Sequence, residues 1–130
     1  MCDQANRDID ALVAEKVMGY KWWKHTLWPT TDKVVRMLRL NTSPYYNTVL
    51  ADGDEPLSPN WVANVPHYST DIKDAFEIVV HFLKYAYGFE LTWLEAGEEW
   101  ECSIGDKYAI AQTAPLAICS AALLVVEYFT

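Results

Sequence analysis

Apolar residues recur with a helical period at the start of the chain. Ile9, Leu12, Val13 and Val17 share one face of a helix that begins at Asp3 or Asn6, either of which can cap it, and stops at Gly19. Asp8 and Asp10 sit near its positive N-terminal end, and Gly19 suits a left-handed residue after the last turn. A second helical pattern covers residues 69–88. Its stripe is Ile72, Ala75, Phe76, Val79, Leu83 and Ala86, with Ser69 or Thr70 as cap, Asp71 and Asp74 near the N-terminus, and Gly88 as stop. The period then drops to two. Phe89, Leu91 and Trp93 oppose Glu90, Thr92 and Leu94, and after a turn at Ala96-Gly97-Glu98, Trp100, Cys102 and Ile104 oppose Glu99, Glu101 and Ser103. A further turn at Gly105-Asp106 leads into "KYAIA". This pattern predicts a three-stranded antiparallel meander buried on one face. Thr113 caps a last helix over residues 114–128, with Pro115 in its first turn, where a missing N–H costs little. Its near-continuous Leu, Ile, Ala and Val content predicts burial on most sides, in the domain centre or in a subunit contact.

Residues 20–68 break the rhythm. "GYKWWKHTLWP", residues 19–29, has neither helix nor strand periodicity, and "DKVVRMLRL", residues 32–40, fits either a short helix or a strand. Prolines at 29, 44, 56, 59 and 66 punctuate the rest as loop. The expected organisation is a single domain over residues 1–130 with an aromatic, proline-rich insertion at about 20–68.

Composition narrows the classes. At 130 residues and 52% hydrophobic, the chain suits one globular domain. The longest nearly uncharged stretch, "APLAICSAALLVV" over residues 114–126, falls short of the roughly 20 residues a membrane span needs. The acidic N-terminal stretch has no apolar core of a secretory signal, so the cytoplasm is the expected location. Cys2, Cys102 and Cys119 have neither disulfide-framework nor zinc spacing. Charge is uneven: residues 1–50 hold seven Lys+Arg against five Asp+Glu, and residues 51–130 hold three against thirteen. That balance argues against duplex nucleic acid as a partner and leaves a local basic patch in the first third.

"RDIDALVAEKVMGYKW", "YSTDIKDAFEIV" and "WECSIGDKYAIAQTAPLAICSAAL" together resemble the phage ABA sandwich domain family, small phage and prophage proteins. The "KVMG" helix end and the "YSTDI" and "TAPLAIC" caps carry the resemblance, over about two thirds of the chain. Residues 24–66 depart from it as an enlarged insertion. The resemblance implies a phage origin and an α+β fold in which helices pack with the meander, an α/β/α sandwich. It brings no reaction and no site residue with it.

No residue set here divides into acid, base and nucleophile, so no catalytic residue is assigned and a non-enzymatic protein is expected. His25, His67 and His81 share no ligand spacing, the runs "DGDE" and "EAGEEWE" lack the spaced oxygens of a calcium loop, and no metal or cofactor is expected. Interleaved rings and cations are what stacking on a base and pairing with phosphate require. Lys21, Trp22, Trp23, Lys24, Trp28 and Tyr68 are therefore candidate ligand-binding residues, and Ser69, Thr70 and the N–H groups opening the second helix add an anion cradle if the insertion folds over them. The competing reading makes the tryptophans a local core. Three functional readings follow: an anti-defence protein that sequesters a small anionic, nucleotide-type ligand; an acidic inhibitor that binds a host defence protein such as a CRISPR nuclease complex through Glu98, Glu99 and Glu101; and an assembly component that forms a homo-oligomer through the last helix.

Overall fold

The computed structural model describes residues 3–26, 34–39, 48–50, 57, 63 and 65–126. The chain divides into two compact units, residues 1–18 with 66–130, and residues 19–65.

The first unit contains α1 (Asp3–Lys16), α2 (Ile72–Leu83), a sheet of β4 (Phe89–Leu94), β5 (Glu99–Ile104) and β6 (Lys107–Ala111), and α3 (Ala114–Val125). The second contains β1 (Lys21–Thr26), β2 (Val34–Arg39) and β3 (Thr48–Leu50).

The meander has the strand bounds that the alternating pattern predicts. It is antiparallel in the order β4-β5-β6, with Phe89 opposite Ile104, Leu91 opposite Cys102 and Trp93 opposite Trp100. Because side chains alternate across a strand, Cys102 and Ile104 lie together on the covered face, 0% and 1% exposed. Gly105 turns β5 into β6 at φ 62°. A Cβ there would stand 2.8 Å from the Tyr87 ring, so both backbone conformation and space require glycine.

α3 is the hub of this unit. It packs on β5 and β6 and also touches α1 and α2, and Ala117, Ile118, Cys119, Ala121, Ala122 and Leu123 are all buried. A helix that is apolar all round must be enclosed, and here its own domain encloses it. Of the two placements open from the sequence, the domain centre is the one observed. Thr113 caps it as expected, accepting from the Leu116 amide at 3.3 Å. Burial pushes the Cys102 thiol up to about 12, and raises Cys119 further with the help of the nearby Asp10 charge and Cys102.

Three helix details differ from the sequence reading. In α1 the buried line is Asp10, Val13, Ala14 and Val17, with Ile9 and Leu12 only half-buried beside it. In α2 the cap is Asp71, not Ser69 or Thr70: its Oδ1 accepts from the Lys73 and Asp74 amides at 2.8 and 3.3 Å. An ionised carboxylate at that position also meets the helix's positive end, which neither hydroxyl does. The helix ends at Leu83, and Ala86 rather than Gly88 takes the left-handed turn, at φ 65°. Its buried stripe is Ala75, Ile78, Val79 and Phe82, whereas Ile72, Phe76 and Leu83 are exposed.

In the second unit the stretch read as aperiodic is a strand. β1 is the centre of an antiparallel sheet in the order β2-β1-β3, and residues 34–39 are its edge strand rather than a helix. Leu38 and Val35 are buried, at 0% and 6% exposure, and successive strand positions of opposite parity face opposite sides. Burial on both faces hides the strand period.

Candidate functional site

The β1–β2 register sets Lys21 opposite Arg39, Trp22 opposite Leu38, Trp23 opposite Met37 and Lys24 opposite Arg36. Two rungs of one ladder thus pair cation with cation. Like charges directly opposite each other destabilise a sheet by a few tenths to about 1 kcal/mol per pair. The Arg36 guanidinium lies over the Trp22 ring, 5.0 Å from its centroid, on the diagonal of the ladder. That geometry attracts a cation to the ring face and holds a planar, positively charged surface at a half-exposed position. Lys21 is exposed and Trp22 and Trp23 are half-buried, so the indoles neither fill a sealed core nor stand free in solvent. The register carries Lys24 into this group; Trp28 lies outside the described residues. Arg36 was not among the residues singled out from sequence. Its signal was present, because the alternation of Arg36 and Leu38 in "VVRMLR" becomes informative once the segment is a strand paired with "KWWK".

The remaining ligand candidates belong to the first unit, and they do not form the expected cradle. Tyr68 and Ser69 are buried, at 1% and 2% exposure. The Ser69 amide donates to Asp10 Oδ1 at 2.7 Å, and its hydroxyl donates to the Asn6 carbonyl at 3.1 Å. Both polar groups of Ser69 are therefore spent anchoring the loop to α1. The first amides of α2 are occupied by Asp71's own carboxylate, which leaves an incoming anion no place there.

Thr70 alone of the three is exposed, and it lines a recess of about 340 Å³ with Asn6, Arg7 and His67. Arg7 Nη1 donates to Asp10 Oδ2 at 2.7 Å and to the Pro66 carbonyl at 3.2 Å, and stands 3.2 Å from His67 Nδ1. Asp10 is wholly buried, and the guanidinium together with the Ser69 amide compensates its charge. The His67 amide in turn donates to Asp74 Oδ2 at 2.8 Å. This network ties α1 to the loop entering α2. Its sequence signal was an acid at position 10 in line with Val13, Ala14 and Val17, where an apolar residue would be expected.

Glu98 sits in the β4–β5 turn at φ 52°, and Glu99 and Glu101 follow on β5, opposite Leu94 and Thr92. Alternation places Glu99 and Glu101 with Glu90 on the face turned away from Cys102 and Ile104. Among the described residues, no three His, Cys, Asp or Glu side chains converge as a metal ion would require, and no helix is long and apolar enough to cross a membrane.

No curated protein and no solved structure gives a significant match to the chain. The sequence pattern of the phage ABA sandwich domain matches residues 11–123, which spans both units and nearly all of the described elements. With three helices packed on and around an antiparallel meander in the first unit, the α+β architecture agrees with that match. The chain belongs to the phage ABA sandwich domain family.

Proposed function

We propose that this phage protein is a non-enzymatic accessory factor that acts in the host cytoplasm by binding and sequestering a small anionic ligand of nucleotide type, and so antagonises host defence. One observation carries the reading: the β1–β2 ladder sets Lys24 opposite Arg36 at positions of the same parity as Trp22, on which Arg36 is stacked, while Lys21 opposite Arg39 belongs to the other face of the sheet. A sheet that tolerates a like-charge rung gives up stability, and an anion placed at the Lys24–Arg36 rung, on the Trp22 face, would recover it. The indole and the stacked guanidinium supply a flat surface for a base, whose stacking contributes about 1–3 kcal/mol. Calorimetry with cyclic nucleotides and adenosine-diphosphoribose-type compounds tests this. Binding that weakens at least tenfold in Trp22→Ala and Arg36→Ala supports it, and no heat from any member of the panel with folded protein removes it.

A second reading rests on the acidic face. Glu90, Glu99 and Glu101, with Glu95 and Glu98 in the turn, group negative charge on one side and one end of the meander. This suits a protein that binds a host defence protein in place of nucleic acid. Charge reversal at Glu98, Glu99 and Glu101 would abolish capture of such a partner and leave nucleotide binding intact, so the two readings separate cleanly.

A further inference from the structure

The meander ends on one side at β4, whose outer edge pairs with no other described strand. Residues of a strand point their main-chain groups alternately to its two sides. The Gly105 amide donates to the Gly88 carbonyl at 2.9 Å, on the register that sets Phe89 opposite Ile104. Gly88 therefore bonds toward β5, and by alternation so do Glu90, Thr92 and Leu94. Phe89, Leu91 and Trp93 turn their N–H and C=O groups outward, and among the described residues no main-chain hydrogen bond reaches them from beyond the sheet. Their side chains share the inner face with Cys102 and Ile104, but the cover thins at this edge. Cys102 is 0% exposed, Leu91 opposite it is half-buried, and Trp93 is 46% exposed. Edge strands are ordinarily guarded against pairing by proline, lysine, a bulge or a very short length. β4 runs six residues in unbroken register with none of these, whereas β6, on the opposite edge, has five and opens with Lys107.

We propose that β4 pairs antiparallel with β4 of a second copy about a two-fold axis at Leu91, joining two three-stranded meanders into one continuous sheet. Any strand can hydrogen-bond to a bare edge, but a second β4 also matches this one side chain for side chain. A two-fold axis normal to the sheet keeps the inner faces together, so only residues of like parity fall opposite each other. With the axis at Leu91, the two Leu91 residues exchange main-chain bonds and Phe89 of each copy exchanges them with Trp93 of the other. Every outward N–H and C=O of the strand is then used. The inner face sets leucine against leucine and phenylalanine against tryptophan, and the outer face sets Glu90 against Thr92, all pairings that a sheet tolerates or favours. Neighbouring registers lose this: an axis at Glu90 opposes two carboxylates, and an axis at Thr92 puts Phe89 opposite Glu95 in the turn. Phe76, 42% exposed, packs edge-on to Phe89 with centroids 6.0 Å apart, so it borders the seam as well. Main-chain hydrogen bonds rather than buried area hold such a contact, so the dimer is a weak one.

Sedimentation of the full chain from about 1 to 500 μM is expected to show a monomer–dimer equilibrium. Leu91→Pro removes an amide that points away from β5, at an edge position where proline is tolerated. It weakens the dimer at least tenfold relative to Leu91→Ala, with a similar melting temperature. Thr92→Glu, at an exposed position, sets a new carboxylate against Glu90 twice over and weakens the dimer about tenfold, and Thr92→Lys strengthens it. In a Cys2→Ser background, Glu90→Cys and Thr92→Cys cross-link to each other when mixed and oxidised, because their Cα atoms lie about 4.5 Å apart across the seam. Neither cross-links to itself, since each stands about 8 Å from its symmetry mate. A chain that stays monomeric at the highest concentration overturns the proposal, whether or not the edge captures a strand of some other protein. So does a dimer indifferent to both Leu91→Pro and Thr92→Glu, or one in which Thr92→Cys cross-links to itself. Nucleotide binding by the β1–β2 sheet is independent of all these outcomes.

Discussion

The two sheets have the same strand count and the same antiparallel pairing, yet they are built on opposite terms. The meander seals Cys102 and Ile104 on one face, and Glu90, Glu99 and Glu101 lie on the other, beside the exposed Tyr108 and Ile110. The β2-β1-β3 sheet makes no such division. Leu38 and Val35 are buried on opposite sides, indoles are half-covered, and two rungs oppose cation to cation. The first arrangement follows what stability selects, since the sealed residues gain from burial and the outward carboxylates stay hydrated. The second gives up some of that gain, and such local conflicts gather where a protein binds something.

Truncating the meander's core tests the first half of this contrast. Ile104→Ala should lower the stability of the first unit by about 3 kcal/mol, measured by denaturant unfolding, because a sealed position cannot collapse to fill the void. Truncation at Trp22 should cost far less stability than binding. Equal losses at both positions would erase the distinction between the sheets.

Alkaline pH reaches the same core by another route. The folded Cys102 thiol is held at about 12 against an ordinary 9.0, so the unfolded chain releases this proton first as pH rises. Stability from Cys102 is complete below pH 9 and is lost as pH climbs toward 12, amounting to about 2 kcal/mol by pH 10.5. Unfolding curves of the native chain and Cys102→Ala between pH 8 and 10.5 should converge as the pH rises. Parallel curves would show that the thiol ionises without consequence.

The smallest expected effect sharpens the contrast most. Lys24→Glu turns one like-charge rung into an opposite-charge pair with Arg36, and should stabilise the second unit by about 0.5 kcal/mol while lowering affinity for the anionic ligand at least tenfold. A destabilised Lys24→Glu would mean the two cations are not in conflict, and the binding argument would lose its main support.

How much of this was legible beforehand follows from how many sides of each element are covered. The meander could be read to the residue because one covered face imposes a strict period of two, with glycine at its tight turn. α3 was legible as an enclosed helix, but whether its own domain or a neighbour enclosed it was not, since burial leaves the same composition in either case. β1 was missed because Trp next to Trp, with Lys on either flank, erases alternation. In α2 the apolar arc is too wide to show which half is covered, and three consecutive cap formers, Ser69, Thr70 and Asp71, left the start ambiguous. Of the ligand candidates, Lys21, Trp22, Trp23 and Lys24 share one strand, whereas Tyr68 and Ser69 turned out to be anchors for the loop before α2.

By itself, the order of residues determined the local elements whose signals are local: the Thr113 cap of α3, the turn at Gly105, the strands of the meander and the acidic bias of the later half. Only the tertiary structure decided that Arg36 lies over Trp22, that Lys24 falls opposite Arg36 in the ladder, and that Asp10 is buried against Arg7 and Ser69. Each of those depends on which strand pairs with which, and in what register. Pairing energy is spread over many distant positions, so no short window of sequence contains it.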